Sequence, residues 1–476
     1  MALQNPAIAD AVNRAAAPTE GADAQDTLFD ERQLAALVND AFFRCALQST
    51  LIVGMRFELF FMRARSALLR LAEAAADSSA GVSRELVDFA CALAHQCFIH
   101  EYVFALPDEE EQRAGRLRAL LQQKIGGGPA VAPLLLAAVA AYHPLYSLPG
   151  APSLLAGQWP DSVAQLLRRQ VGEPLAEAAD AEAIAALTPI ADGTSVDVMR
   201  QYEENPYPRW TLAASETPPK AMPPGAESAA PEEILIAGCG TGRHAVIVAQ
   251  RWPLARILAI DLSRPSLAYA RRKAREAGLS NIEFAQADIL KLGALGRSFD
   301  RIEAVGSLQT LADPNAGWRV LLSLLRPHGV MRVGLYSEAA RRPIVQARAL
   351  IAARGYPATA AGIRALRGYI MDNAGEPHWR RLLERSTDFY SMSGCRDLFF
   401  HVMEHRTTIP QIASFLDENG LQFLGFELDP QGAERFRMRH PDRAAQTSLD
   451  CWHAFEQANP ETFRFMYVFD VARKHS

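Results

Sequence analysis

The spacing of apolar positions changes character twice along this chain. Over residues 27–195 they recur three and four apart, as in Leu34, Leu37, Val38, Phe42 and Phe43, in Leu68, Leu69 and Leu71, and in Leu86, Phe89, Ala90 and Leu93. That period lines one face of a helix, so this stretch is predicted to be helical, with residues 126–129 and 147–150 as Gly/Pro punctuation. From residue 233 the apolar positions gather into short runs, at 233–237, 256–261, 282–289, 299–306 and 330–336, separated by helix-like stretches. Strand and helix in alternation predict a doubly wound parallel sheet. Residues 326–329 read as the turn that ends the last helix before the fifth strand. Two later runs, 421–428 and 465–472, are candidates for an antiparallel pair, with a helix at 410–419 closed by Gly420 leading into the first.

Residues 211–231 are proline-rich and poor in large apolar side chains, which marks a linker. Between the fifth strand and the helix at 410, residues 338–405 form an insertion with two cationic helices, at 341–353 and 362–370. Titratable and aromatic groups then interleave densely over 388–406. The organisation expected is a disordered tail at 1–26, a helical domain at 27–210, the linker, a sheet core at 232–337, the helical insertion at 338–405 and completion of the sheet at 406–476.

The first strand runs into Gly238-Cys239-Gly240-Thr241-Gly242 and opens a helix at Arg243. A strand-to-helix turn of this kind uses glycine where the backbone must bend sharply and let a ligand approach without a Cβ in the way. A dinucleotide fingerprint would need a third glycine at 243, where the chain has Arg243. The spacing G-x-G-x-G instead resembles motif I of class I S-adenosylmethionine (SAM)-dependent methyltransferases. Asp261 ends the second strand, placed to accept from both ribose hydroxyls. The resemblance makes Asp288 the acceptor for the adenine amino group, with Ile289 beside the ring. In one respect the chain departs from the family, which has an acid two positions before the first glycine; here that position is Ile236, and another group must hold the methionine end.

Upstream, residues 198–210 crowd Tyr202, Glu203, Glu204, Tyr207, Arg209 and Trp210 around Pro206 and Pro208. This segment resembles one that precedes motif I in a group of large bacterial methyltransferases. There it would fold over the cofactor, Arg209 pairing with the SAM carboxylate and Tyr202 or Tyr207 lining the methyl group. The alternative is a docking peptide that packs its aromatics between domains. The cofactor set implied by the resemblance is Tyr202, Arg209, Gly238, Cys239, Gly240, Thr241, Gly242, Asp261, Leu262, Asp288, Ile289 and Gly306. The implied fold is a Rossmann-like α/β sheet of five parallel strands plus a C-terminal antiparallel pair, with an N-terminal all-α domain and a helical insertion after strand five.

Composition bounds the rest. A net charge of −5 gives no overall basic field, so nucleic acid is not expected as a partner. Six scattered cysteines without a C-x-x-C pair fit reduced thiols in a cytoplasm. The apolar stretch 129–146 is short and broken by Pro133 and Pro144, so no membrane partner is expected. His95, Cys97, His100 and Glu101 match no standard zinc spacing and read as a polar network inside a helix, with no metal.

A methyl transfer from SAM needs an acceptor lone pair aligned with the S–CH3 bond and no dedicated nucleophile. For an amine acceptor, Tyr207, Tyr336, His401 and Glu404 are the candidates to help move a proton. The size of the accessory regions favours a protein or peptide N-methyltransferase, with a distant architectural similarity to bacterial protein lysine methyltransferases. A small-molecule O- or N-methyltransferase working as a homodimer, and a SAM-binding module without turnover, are the alternatives.

Overall fold

The computed structural model of the chain describes residues 5–16, 37, 39–76, 82–127, 131–212 and 232–474. The first helices among the described residues are α1 (Pro6–Ala16), α2 (Ala41–Ser49), α3 (Met55–Ala76), α4 (Arg84–Ile99), α5 (Asp108–Ile125), α6 (Pro133–Ala140) and α7 (Asp161–Leu167). After α8 (Glu173–Glu182) and α9 (Gly193–Glu204), the sheet begins with β1 (Glu233–Ala237), α10 (Arg243–Arg251), β2 (Arg256–Asp261), α11 (Arg264–Glu276) and β3 (Ile282–Gln286). It continues with β4 (Phe299–Val305), α12 (Pro314–Leu324) and β5 (Leu325–Tyr336). Four helices follow, α13 (Arg342–Arg354), α14 (Ala360–Asp372), α15 (Pro377–Arg385) and α16 (Met392–Phe400). The chain closes with α17 (Ile409–Glu418), β6 (Leu421–Phe426), α18 (Pro430–Arg439), α19 (Leu449–Ala458) and β7 (Met466–Arg473).

The seven strands form one sheet in the order β3-β2-β1-β4-β5-β7-β6. Strands β1 to β5 are parallel, and β7 runs antiparallel between β5 and β6. The period-two alternation of β1 sends its side chains to two cores. Leu235 and Ala237 join Trp318 of α12, Phe415 of α17 and Trp452 of α19 on one face. Ile234 and Ile236 join Ala245 and Val248 of α10 and Leu267 of α11 on the other. Helix α12 ends at Leu324, and residues 326–329, expected as a turn, already belong to β5, which starts at Leu325. The extra length is absorbed by a register shift: Phe299 lies opposite Leu325, and Arg301 opposite Val330.

Chain contacts divide the molecule into two units. One holds residues 1–176, 209–212 and 351–398, the other 177–208, 213–350 and 399–476. The boundary therefore lies elsewhere than the sequence suggested. Residues 177–208 are part of the sheet unit: Leu187 N donates to Gln286 O and Gln286 N to Ala185 O, each at 2.8 Å, which extends β3 by one bridge. Most of the insertion belongs to the helical unit, and a buried ion pair explains why. Arg367 of α14 donates to Glu58 of α3 at 2.6 Å, to Phe389 O at 2.8 Å and to Val103 O at 3.1 Å, so a guanidinium with almost no exposure has its charge and hydrogen bonds met inside that unit. The proline-rich stretch 213–231 lies outside the described residues.

The expected disordered tail also needs correction. Residues 6–16 form α1, and Ile8, Ala11, Val12 and Ala15 are buried at the spacing of a helix face that packs on α3. Half of that face is alanine, so its apolar period is weak in the sequence. Residues 1–4 and 17–26 of that tail lie outside the described residues. Among the described residues no helix is long and apolar enough to cross a membrane.

Helix α9, which delivers Gln201 and Tyr202, starts at an N-cap. Asp192 accepts from Thr194 N at 3.0 Å and Ser195 N at 3.2 Å. Asp192→Ala is expected to destabilise the sheet unit by about 1 kcal/mol, read as a lower urea midpoint at unchanged m-value. An unmoved midpoint would mean that packing alone sets the start of α9.

Candidate functional site

The glycine turn sits where β1 meets α10, and its three glycines all have positive φ, +78°, +53° and +80° at Gly238, Gly240 and Gly242. All three are required by close approach as well, a Cβ on Gly238 standing 2.3 Å from Ser307 Cβ. A Cβ on Gly240 would stand 2.7 Å from Tyr207 O, and one on Gly242 would stand 2.4 Å from Ala270 Cβ of α11. Cys239 and Thr241 between them are buried. Burial, and then the charge of Asp261, push the Cys239 thiol well above its ordinary range, so it stays protonated.

Asp261 at the end of β2 holds the turn in place. Its Oδ2 accepts from Gly240 N at 2.8 Å and its Oδ1 from Ser263 N at 2.9 Å. Burial raises its pKa, against the pull of these backbone N–H groups. Leu262 next to it offers its carbonyl to Gln286 Nε2 at 2.8 Å. After β3, Asp288 is fully buried and caps the next turn through Oδ1, which accepts from Leu290 N at 2.9 Å. Its Oδ2 has no partner among the described residues. A buried carboxylate oxygen without a donor is costly, and it is what an adenine amino group would satisfy. Ile289 beside it is buried, and Gly306 at the end of β4 has φ +86°. The cradle and the orphaned oxygen thus fit SAM.

The segment at 202–208 lies on the glycine turn through its backbone. Thr241 N donates to Tyr207 O at 3.4 Å, and Thr241 Oγ1 donates to Pro208 O. Ser263 Oγ donates to Tyr202 O at 3.1 Å, which links the segment to the Asp261 end of β2. Arg209 belongs to the helical unit, with its Nε 3.3 Å from Glu101 Oε1. One partner of Arg209 is thus a side chain of its own unit.

The four residues read as proton-moving candidates sit in defined networks. His401 is buried, and burial pushes its pKa down to about 4, so the ring is neutral near pH 7. Its Nδ1 accepts from Met403 N at 3.1 Å, which puts the ring proton on Nε2, 3.0 Å from the Tyr202 hydroxyl. With Nδ1 occupied and Nε2 protonated, His401 orients Tyr202 and has no lone pair to offer. Glu404 is bound by the Arg341 fork at 3.1 and 2.7 Å, with Arg348 and Arg406 at 3.9 and 3.6 Å. Both oxygens of Glu404 are thus engaged by guanidinium groups. Arg341 also lies 3.7 Å from the centre of the Tyr336 ring. Tyr207 supplies its carbonyl to the glycine turn, as described.

Two polar groups were missed by sequence reasoning. Gln309, in the turn after β4, is fully buried, and neither its Oε1 nor its Nε2 has a partner among the described residues. The only signal was a polar residue inside an otherwise apolar run, Leu308-Gln309-Thr310-Leu311. The second is Glu303, the register partner of Ile236 on β4. Ile236 packs into the core against α10 and α11, while Glu303, almost fully buried, lies 2.6 Å from His244 Nε2 and 2.5 Å from Arg301 Nε. Burial opposes its charge, but His244 and Arg301 outweigh that and hold its pKa down at about 2. The carboxylate absent from the end of β1 is therefore found one strand over. Only the strand order could reveal this.

Comparison with known proteins bears on the same residues. Residues 234–329 match a family model described as a methyltransferase domain. An uncharacterized protein of Synechococcus sp. is 32% identical over 255 residues, covering 51% of this chain and 58% of the relative. Trans-aconitate 2-methyltransferase of Escherichia coli is 38% identical over 102 residues, covering 21% of this chain and 38% of that enzyme. The chain thus spans less than two thirds of the length of either relative. Among solved structures, PKMT2 from Rickettsia typhi is 18% identical over 60% of this chain and 55% of its own, with a TM-score of 0.40, too loose a likeness to bear on substrate. The strand order, the glycine turn with its two acids and the family match together identify residues 234–329 as a class I SAM-dependent methyltransferase domain.

Proposed function

We propose that this chain is a SAM-dependent methyltransferase that transfers methyl to a nitrogen of a protein or peptide. The observation that carries the cofactor half is the buried Asp288 oxygen without a donor, on the same sheet edge as the Gly240–Asp261 anchor. SAM supplies an activated methyl group, so the protein's work is to bind, align and exclude water. Asp261 and Asp288 would take the ribose and adenine ends. His244, held by Glu303 at the start of α10, is the side chain available to the methionine end in place of the acid that Ile236 lacks.

On the acceptor side, the buried Gln309 amide offers one acceptor and one donor, and Tyr202 is fixed by His401. Gln309 would orient an acceptor N–H through Oε1. The protein-acceptor reading is supported by the helical unit, a second compact unit that the insertion after β5 helps to build. A second reading, a small-molecule acceptor, draws on the same amide, since a compact buried pair of donor and acceptor also suits a carboxamide or carboxylate.

Transfer of a tritiated methyl group from SAM into a lysate separated by size tests the proposal. Label in a protein band supports it, label confined to small molecules supports the second reading, and SAM binding without any transfer refutes both. Gln309→Leu is expected to lower kcat about tenfold at unchanged SAM affinity, the loss of roughly one hydrogen bond in the transition state. Unchanged kcat would remove Gln309 from the acceptor site.

A further inference from the structure

A cavity of about 320 Å³ opens in the sheet unit between the first half of α12 and α17, away from the glycine turn. That volume is at the lower end of small-molecule sites. Trp318 and Phe415 line it, their rings stacked with centroids 4.0 Å apart at 16°, and Leu335 and Ile412 add aliphatic wall. Two of its lining residues carry unmet polar groups. Trp318 is 2% exposed and its indole Nε1 has no partner among the described residues; the buried Nε2 atom of His405, another lining residue, has none either.

The chemistry of these groups selects the ligand. An indole N–H can only donate, so whatever satisfies Trp318 must bring an acceptor, which excludes an ammonium. Arg406 at the edge adds a cation: its Nε is paired with Glu338 at 3.0 Å and its Nη1 lies 3.6 Å from Glu404, while neither ion pair uses Nη2. The one acid lining the cavity, Glu418, is largely exposed and lies 3.6 Å from Arg319. An indole donor within the aromatic and aliphatic wall and a cation at the edge favour a carboxylate on a flat apolar body.

We infer that the cavity between α12 and α17 is a small-molecule site of its own, for a compact carboxylate attached to a flat, unsaturated or aromatic body. It is separate from the cofactor cradle, yet its wall is joined to the acceptor side, because His405 N donates to Gln309 O at 2.9 Å.

Benzoate is the probe, with benzyl alcohol as the uncharged control, read by saturation-transfer NMR on the full chain. Saturation transfer to benzoate is expected, with at least fivefold weaker binding of benzyl alcohol. Trp318→Phe keeps a ring on Phe415 and removes the donor together with part of the ring, and Arg406→Gln removes the cation; each is expected to weaken benzoate at least fivefold. Ser414→Trp, on the exposed face of α17 at the rim, is expected to abolish the signal while SAM binding stays unchanged. Should Trp318→Phe fail to fold, the other two variants decide. No transfer to benzoate in the native chain, or equal transfer in Ser414→Trp, overturns the assignment.

Discussion

Gly240→Val is expected to leave the chain folded but without measurable affinity for SAM. Three effects coincide at this position. Its φ of +53° is a conformation that a β-branched residue avoids, at a cost of about 1–3 kcal/mol. Its Cβ would stand 2.7 Å from the Tyr207 carbonyl, backbone that cannot swing aside as a side chain could. Relief requires the turn to move, and the turn is tied to Asp261, the acid proposed for the ribose, through the 2.8 Å bond from Gly240 N. Displacing it therefore misplaces the cradle and the carboxylate together. The strands beneath are unaffected, since Ile234, Leu235 and Ile236 pack in the two cores independently of the turn. Calorimetric titration with SAM and S-adenosylhomocysteine checks this, alongside the thermal midpoint. Affinity within threefold of the native chain would sink the site assignment.

Acidification is expected to destabilise the protein well above the pH at which carboxylates titrate. Burial lowers the pKa of the half-buried His143 and holds three deeply buried histidines neutral in the fold, pushing His95 down to about 3 and His100 and His401 to about 4 from an ordinary 6.5. With the folded pKa depressed, the unfolded chain takes up protons first as pH falls. The stability that these groups contribute is complete above about pH 7 and is lost between about 6.5 and 4. At pH 5 the loss is about 2 kcal/mol for each of the three deeply buried rings, a large share of the stability of an ordinary domain. His95 and His100 lie in the helical unit, and His100 Nδ1 is 2.5 Å from Tyr390 O, within that unit, so the helical unit should yield first. His100→Gln keeps a donor for that carbonyl and removes the titration. Its urea midpoint should fall less than the native one between pH 7.5 and pH 5, by the equivalent of about 2 kcal/mol. Equal slopes in the two proteins would show that His100 does not titrate in this range.

The histidines and the glycines differ in how visible they were beforehand. Gly238, Gly240 and Gly242 could be read as a turn because the constraint on them is local: a positive φ depends on the residue and its neighbours in the chain. His95 and His100 were legible as a polar network on a helix, but their depressed pKa values come from burial, which depends on what packs against that helix. The catalytic candidates show the same divide. His401 and Glu404 look alike as titratable residues near an aromatic run. What separates them from a working base is the Met403 N–H on one and the Arg341 fork on the other.

The sequence by itself determined the parallel sheet, its antiparallel closure and the place of the cofactor turn, because period-two runs, glycine spacing and the acids ending β2 and following β3 are consequences of backbone geometry within a few residues. Tertiary structure alone decided the rest. Arg367 draws the insertion to Glu58 of a helix 309 positions away, residues 184–188 extend the edge of β3, and strand order sets Glu303 beside Ile236. These depend on which distant segments meet, and burial and charge at a contact are properties of the meeting, which no spacing along the chain encodes.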